Sequence, residues 1–275
     1  MKSTSMRTAI TRRVLGQVPF LLAATFVAIS AATASASVIV ADDFDDKTTG
    51  DLAGQGGGYN ASGSWTSNWT GSTNFDVNAG GRVHGLDGNT YRSFSGATVN
   101  QVLYVGVTMQ ATGADTGYFA AIKVFDQTAG GGTPQYTNTV GLRDVQFGLN
   151  ASKVSPGLTQ TEFNDAQWRF VLKIIPNETG TTDRYQVWVD DVSDSSFDKT
   201  EASTKTFNSA GSFFGDVALD VIGIIGAANN NTRYYDDLIV ATTFEEAATF
   251  AIPEPATGLL LGAIAALALV GWRRR

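Results

Sequence analysis

Carboxylates are the residues of this chain best placed to do chemistry. Asp42, Asp43, Asp45 and Asp46 crowd around the end of an early apolar segment, and Asp236 and Asp237 stand together inside one of the last. Hard divalent cations take several oxygen ligands, which makes Asp42, Asp43, Asp236 and Asp237 the candidate ligands of a calcium ion. If the late pair lies on a strand, alternation sends one carboxylate inward, where it is costly unless a cation or several donors meet it. The competing reading is a set of solvated turn carboxylates plus one hydrogen-bonded partner.

Other chemistries are poorly supplied. His84 is the only histidine and there is no cysteine, so a His-rich zinc site, a thiolate site and disulfides are all excluded by count. A Ser-His-Asp triad would have to use His84, and no nucleophile-elbow motif accompanies it. Sugar recognition needs aromatic faces beside polar side chains. Tyr59, Trp65 and Trp69 lie in a Gly, Ser, Asn and Thr-rich stretch over 48–73 and are the candidate ligand-binding residues. Burial competes with that role because tryptophan is highly buried on average; Trp168 and Trp188 fit sheet packing.

The elements that must position these residues are strands. Leu103, Val105, Val107 and Met109 share one face of 102–109, and Trp168, Phe170, Leu172 and Ile174 share one face of 168–175; this two-residue period is the signature of half-buried sheet. Tyr118 to Phe125, Val145 to Leu149, Tyr185 to Val189, Val217 to Gly226 and Tyr234 to Ala241 read likewise. Asn78-Ala79-Gly80-Gly81 forms a hairpin turn between 75–77 and 82–84, and a further turn falls at Asp87-Gly88-Asn89. No stretch between Ser37 and Thr243 keeps a helical period. At least eight short strands with frequent turn residues predict an all-β fold: two antiparallel sheets in a jelly-roll sandwich.

The two ends read differently. Lys2, Arg7, Arg12 and Arg13 precede an uncharged apolar run, and Ala34-Ser35-Ala36 supplies a small-x-small cleavage site, so 1–36 reads as a signal peptide. At the other end Pro253-Glu254-Pro255 is followed by an uncharged run from Ala256 to Trp272 and by Arg273, Arg274 and Arg275. The prolines hold the chain extended and non-helical. The run covers roughly 25 Å as a helix, enough for a transmembrane segment with interfacial Trp272 and cytoplasmic arginines. The domains expected are thus 1–36 signal peptide, 37–243 sandwich, 244–251 linker and 252–275 tail. Without both ends the chain keeps 12 basic and 25 acidic residues, a net charge near −13, which disfavours nucleic acid and anionic lipid as partners and favours a cation.

The order Pro253-Glu254-Pro255, Gly/Ala/Leu-rich segment and terminal arginine cluster resembles the PEP-CTERM sorting signal of Gram-negative bacteria that make exopolysaccharide. That resemblance implies recognition by an exosortase-like membrane enzyme, inner-membrane anchoring before processing, and then delivery to the cell surface or extracellular matrix. A second resemblance spans most of the mature chain. Val40-Ala41-Asp42-Asp43-Phe44, Tyr185-Gln186-Val187-Trp188-Val189-Asp190-Asp191 and Tyr234-Tyr235-Asp236-Asp237-Leu238-Ile239-Val240 look like concanavalin A-like, laminin-G-like sandwich domains. Such domains often bind glycans and often carry structural calcium. Their sugar-cleaving members use a Glu-x-Asp-x-x-Glu strand, and none of Glu162, Glu178, Glu201, Glu245 and Glu246 sits in that pattern. The expectation is an exported, non-catalytic, glycan-binding protein. The alternatives are a structural matrix or adhesion protein without a specific ligand, and a glycan hydrolase or lyase.

Overall fold

A computed structural model describes residues 38–112, 119–125, 140–143, 147–149, 152–154, 166–176, 182–192, 201–208, 218–226 and 232–249. The expected signal peptide, the end of the expected linker at 250–251, the tail over 252–275, and Glu162 and Glu178 lie outside these residues. In chain order the strands are β1 (Val38–Asp42), β2 (Gly50–Asp51), β3 (Tyr59–Asn60), β4 (Ser64–Trp65), β5 (Thr70–Gly71), β6 (Phe75–Val77), β7 (Val83–Gly85), β8 (Gly88–Ser95) and β9 (Leu103–Thr112). They continue as β10 (Phe119–Phe125), β11 (Val140–Arg143), β12 (Phe147–Leu149), β13 (Ser152–Val154), β14 (Trp168–Ile175), β15 (Thr182–Asp191), β16 (Glu201–Asn208), β17 (Val221–Gly226) and β18 (Thr232–Ala241). One short helix, α1 (Phe244–Ala248), follows.

The strands make two antiparallel sheets. The first runs β16-β15-β14-β9-β18-β7-β6-β2, with β1 and β3 joined through β18; the second runs β13-β12-β11-β10-β17-β8-β4, with β5 on β8. The core lies between them. Leu103, Val105, Val107 and Met109 of β9 and Trp168, Phe170, Leu172 and Ile174 of β14 point into it from the first sheet, and Ile222 and Ile224 from the second. This is the face that the two-residue period picks out, because register fixes every inward side chain at once.

β18 organises the site. On one side it pairs along its length with β9; on the other, Arg233 to Tyr235 pair with β7 while Leu238 to Ala241 pair with β1. The ladder shifts between Asp236 and Ile239, and Asp237 takes a left-handed φ of 48°, a bulge that lets one strand serve two neighbours. The bulge therefore places Asp236 and Asp237 beside the turn that leaves β1, with Asp42 paired to Leu238.

Among the described residues no helix is long and apolar enough to cross a membrane. α1 begins at Thr243, whose hydroxyl accepts from the Glu246 amide, and Ala247 and Ala248 are buried. Residues 244–249, expected as linker, pack on the outer face of the first sheet. There Ala247 and Ala248 join a second apolar cluster with Val38, Ala41, Val171, Ile239 and Ala241.

Candidate functional site

The early acidic run divides in two. Asp42 closes β1, a strand buried on both faces, so its carboxylate cannot reach water. Its Oδ1 accepts from the Phe44 amide at 3.1 Å and Lys47 Nζ at 2.7 Å. Its Oδ2 accepts from Trp69 Nε1 at 3.0 Å and Arg92 Nη1 at 2.7 Å. Burial pushes the Asp42 carboxyl up from its ordinary range, while Lys47, Trp69 and Arg92 pull it down. The Asp42–Phe44 bond also holds Phe44 in a left-handed conformation, φ 62°, which a buried aromatic adopts only when its surroundings enforce it.

Asp42, Asp43 and Asp46 each bring one carboxylate oxygen within 4.8 Å of one another, a spacing that suits a cation. That position is filled by the chain's own cation. Lys47 Nζ bridges Asp42 and Asp46, and its side chain is 1% exposed. Asp46 also accepts from the Gly58 amide at 2.6 Å. With four donors on its two oxygens, Asp42 does not fit a calcium ligand.

The remaining acids are differently placed. Asp236 lies 3.6 Å from Arg82 Nε and its own Oδ1 accepts from the Asp237 amide at 3.0 Å. Burial first, then the Asp237 charge, pushes its carboxyl up to about 7, with Asp45 adding to the repulsion. Asp237 accepts from the Thr108 hydroxyl at 3.3 Å; burial raises its carboxyl, and Asp43 and Asp45 raise it further while Arg169 opposes. Asp43, Asp45, Asp236 and Asp237 thus repel one another, a repulsion that a divalent cation would relieve, although among the described residues no three of them bring carboxylate oxygens within 4.8 Å of one another as Asp42, Asp43 and Asp46 do.

The aromatic candidates separate as well. Trp69 is fully buried, its indole N–H spent on Asp42 and its ring 5.9 Å from Phe44. Tyr59 is half-buried against the apolar cluster beneath α1. Trp65 alone of the three lines an open cleft of about 550 Å³, with Asn60, Thr66, Ser67, Asn68 and Arg92 around it. Its Nε1–H donates to the Ala41 carbonyl at 3.0 Å, and the Arg92 guanidinium stacks 4.3 Å from its ring.

Arg92 is the residue that the sequence pattern does not expose. It joins the cleft to the buried acid: Nε donates to Ser67 O at 2.9 Å, Nη2 to Gly57 O at 2.8 Å and Nη1 to Asp42. Every arm of the fork is used, so Arg92 shapes the floor of the cleft and fixes the loops on both sides. No carboxylate, histidine or lysine lines this cleft among the described residues. His84 stands elsewhere, on β7, its ring 5.8 Å from that of Tyr234.

Residues 251–275 match the PEP-CTERM protein-sorting motif, which includes Pro253, Glu254, Pro255, Arg273, Arg274 and Arg275. No curated protein matches the chain. Among solved structures it is similar to a chain from work on botulinum neurotoxin type C, whose cell entry depends on two ganglioside molecules. That likeness has 9% identity and a TM-score of 0.43, over 75% of this chain and 48% of that one, so this chain spans about half of the neurotoxin chain. It is also similar to the lectin UEA-II complexed with galactose, at 8% identity and TM-score 0.39 over 72% of this chain and 98% of the lectin. A third similar chain comes from work on endo-acting O-glycanases of human gut microbiota, at 11% identity and TM-score 0.42 over 74% and 99% of the two chains.

Proposed function

We propose that this chain is an exported protein that a PEP-CTERM sorting system carries through the inner membrane to the cell surface or extracellular matrix, and that its β-sandwich binds glycan there without cleaving it. The observation that carries the reading is the union, in one chain, of the sorting motif at 251–275 and a sandwich whose open cleft presents Trp65 beside Asn60, Thr66, Ser67 and Asn68. Indole surface, amides and hydroxyls suit a polyol, whose ring carries apolar C–H faces between hydroxyl groups. Hydrolysis needs two carboxylates across the scissile bond. The carboxylate beneath the floor, Asp42, is sealed off by four donors, which supports a binding role.

The processing partner in this reading is an exosortase-like enzyme, and the ligand is exopolysaccharide or another glycan. Of the four candidate ligands Asp42, Asp43, Asp236 and Asp237, the last three are the ones that a calcium ion would serve, since Asp42 already has four donors. There it would neutralise carboxylates that repel one another and brace the bulge of β18.

Calorimetric titration with acidic and neutral polysaccharides tests the binding role, with Thr66→Arg as the informative variant. Thr66 is an exposed cleft residue, so a long side chain there fills the cleft without entering the core. Saturable binding to wild type, weakened at least about tenfold in Thr66→Arg at unchanged thermal stability, supports the reading. No binding to any glycan returns the sandwich to a structural matrix or adhesion role, and release of oligosaccharide products makes it an enzyme.

A further inference from the structure

The strap formed by α1 is received by a purpose-built seat. Arg169 on β14 is fully buried, and among the described residues no carboxylate oxygen lies within salt-bridge distance of it. Burial pulls its guanidinium down to about 10. Its partners are neutral oxygens: Nη1 donates to Asp237 O at 2.6 Å and to the Thr108 hydroxyl at 3.4 Å, and Nη2 to Ala247 O at 2.7 Å. Ala247 O belongs to the end of α1, where a helix leaves acceptors unfilled. Gly106 of β9 lies directly below, and a Cβ there would collide with both the Ala247 carbonyl and the Arg169 guanidinium. The Phe244 ring meets Trp188 edge-on at 5.3 Å and Tyr104 at 6.3 Å.

Lifting the strap would therefore expose Ala247 and Ala248, open the apolar cluster beneath, and leave a buried guanidinium without one of its acceptors. Each of these costs free energy. A protease grips its substrate as an extended segment of several residues, so 244–249 are unavailable while docked. From Thr249 to Ala256, the first residue of the apolar run, the chain has six residues, 250–255. Fully extended they span about 20 Å.

We propose that residues 244–249 are a permanent part of the sandwich and that the sorting machinery cuts only beyond Thr249, so the released domain keeps its strap. The inference rests on the sorting reading given above, and two measurements separate their failures. The first is digestion of the purified full chain with a glutamate-specific protease, following cuts after Glu245 and Glu246. Wild type should resist, while Gly106→Val, which drives a side chain into the seat, and Phe244→Ala, which removes the aromatic anchor, should be cut at least about tenfold faster. Val99→Ser, at an exposed side chain outside the seat and the cleft, should match wild type. Equal rates in wild type and both strap variants overturn the docked strap.

The second is intact-mass determination of the released protein in a bacterium whose exosortase processes other substrates. A carboxyl terminus at residue 249 or later is expected. A terminus within 244–248 overturns the inference and keeps the sorting reading. A chain that retains 256–275 throughout overturns the sorting reading, and the protease experiment still decides the strap.

Discussion

Replacing Asp42 by asparagine tests the reading that this carboxylate is a structural hub and not a metal ligand. Asparagine keeps the shape but offers one oxygen and one NH2 group. Whichever way the amide turns, its nitrogen faces two donors: the Phe44 amide and Lys47, or Trp69 and Arg92. At least two hydrogen bonds are lost, one of them to a charged group worth about 1.5–3 kcal/mol. Lys47 keeps Asp46 and Arg92 keeps two carbonyls, yet the buried pair has lost its anion, a change that costs about 3–5 kcal/mol. For a domain of this size each kcal/mol lowers Tm by about 2–4 °C, so a fall of about 10 °C or more is expected by circular dichroism. The loss should be the same with calcium and with chelator. Pairing Asp42→Asn with Lys47→Met should show a coupling of about 0.5–3 kcal/mol. A destabilisation below about 1 kcal/mol, or one that appears only when calcium is present, would refute the hub.

Asp236→Asn reads the repulsion at the bulge. The folded carboxyl stands near 7 and its ordinary value near 3.8, so protonation stabilises the folded state; that contribution is complete below about 3.8 and is lost as pH rises through 7. The variant should therefore melt higher than wild type at pH 8, and the difference should vanish near pH 4. If a cation relieves the same repulsion, excess calcium at pH 8 should raise the wild-type Tm, as any ligand of the folded state must, and raise that of Asp236→Asn less. Gly81→Ala should cost roughly 1–2 kcal/mol by denaturant titration, because Gly81 has φ 75° and an added Cβ meets Asp45. Trp65→Ala should cost roughly 2 kcal/mol, through the bond to Ala41 and the packing against Phe94 and Arg92; loss of glycan binding at unchanged stability would instead make Trp65 a pure ligand contact.

The strands were legible wherever one face is uniformly apolar. β14 runs Trp168 to Ile175 as its alternation predicts, and the hairpin at Asn78 to Gly81 joins β6 to β7. β8 was not legible, since its inward positions are Thr90, Arg92 and Phe94. Two of those three are polar and break the period. They are tolerated because Arg92 meets Asp42, 50 residues away, a pairing that no local window contains. Trp69 is inward for the same reason: its N–H is one of the four donors. Lys47 was not singled out from the sequence, because nothing in its acidic neighbourhood marks it as buried, yet its side chain lies buried between Asp42 and Asp46.

The acidic composition therefore has two sources that the sequence presents as one. Asp42 and Asp46 are neutralised from within, by Lys47 and Arg92, and make the frame on which the Trp65 cleft is built. Asp43, Asp45, Asp236 and Asp237 are less fully compensated: Arg82 stands 3.6 Å from Asp236, and Arg169 donates to the Asp237 carbonyl and to the Thr108 hydroxyl that Asp237 accepts from. Topology explains the difference. Asp42 lies within β1 and must be paired to be buried, whereas the other four meet at the place where β18 changes partner from β7 to β1 and where the ladder is already broken. A fold that brings its first and last strands together this way concentrates charge at their junction, and it also sets α1, which follows β18, on the outer face beside that junction. Arg169 touches both, donating to Asp237 and to Ala247. Relief of repulsion at the bulge should consequently tighten the strap. Calcium, or pH below 7, should slow cutting after Glu245 and Glu246 in wild type, and Arg169→Met should abolish that dependence while raising the rate. A cutting rate indifferent to both calcium and pH would separate the two ends of Arg169 and leave the strap held by packing alone.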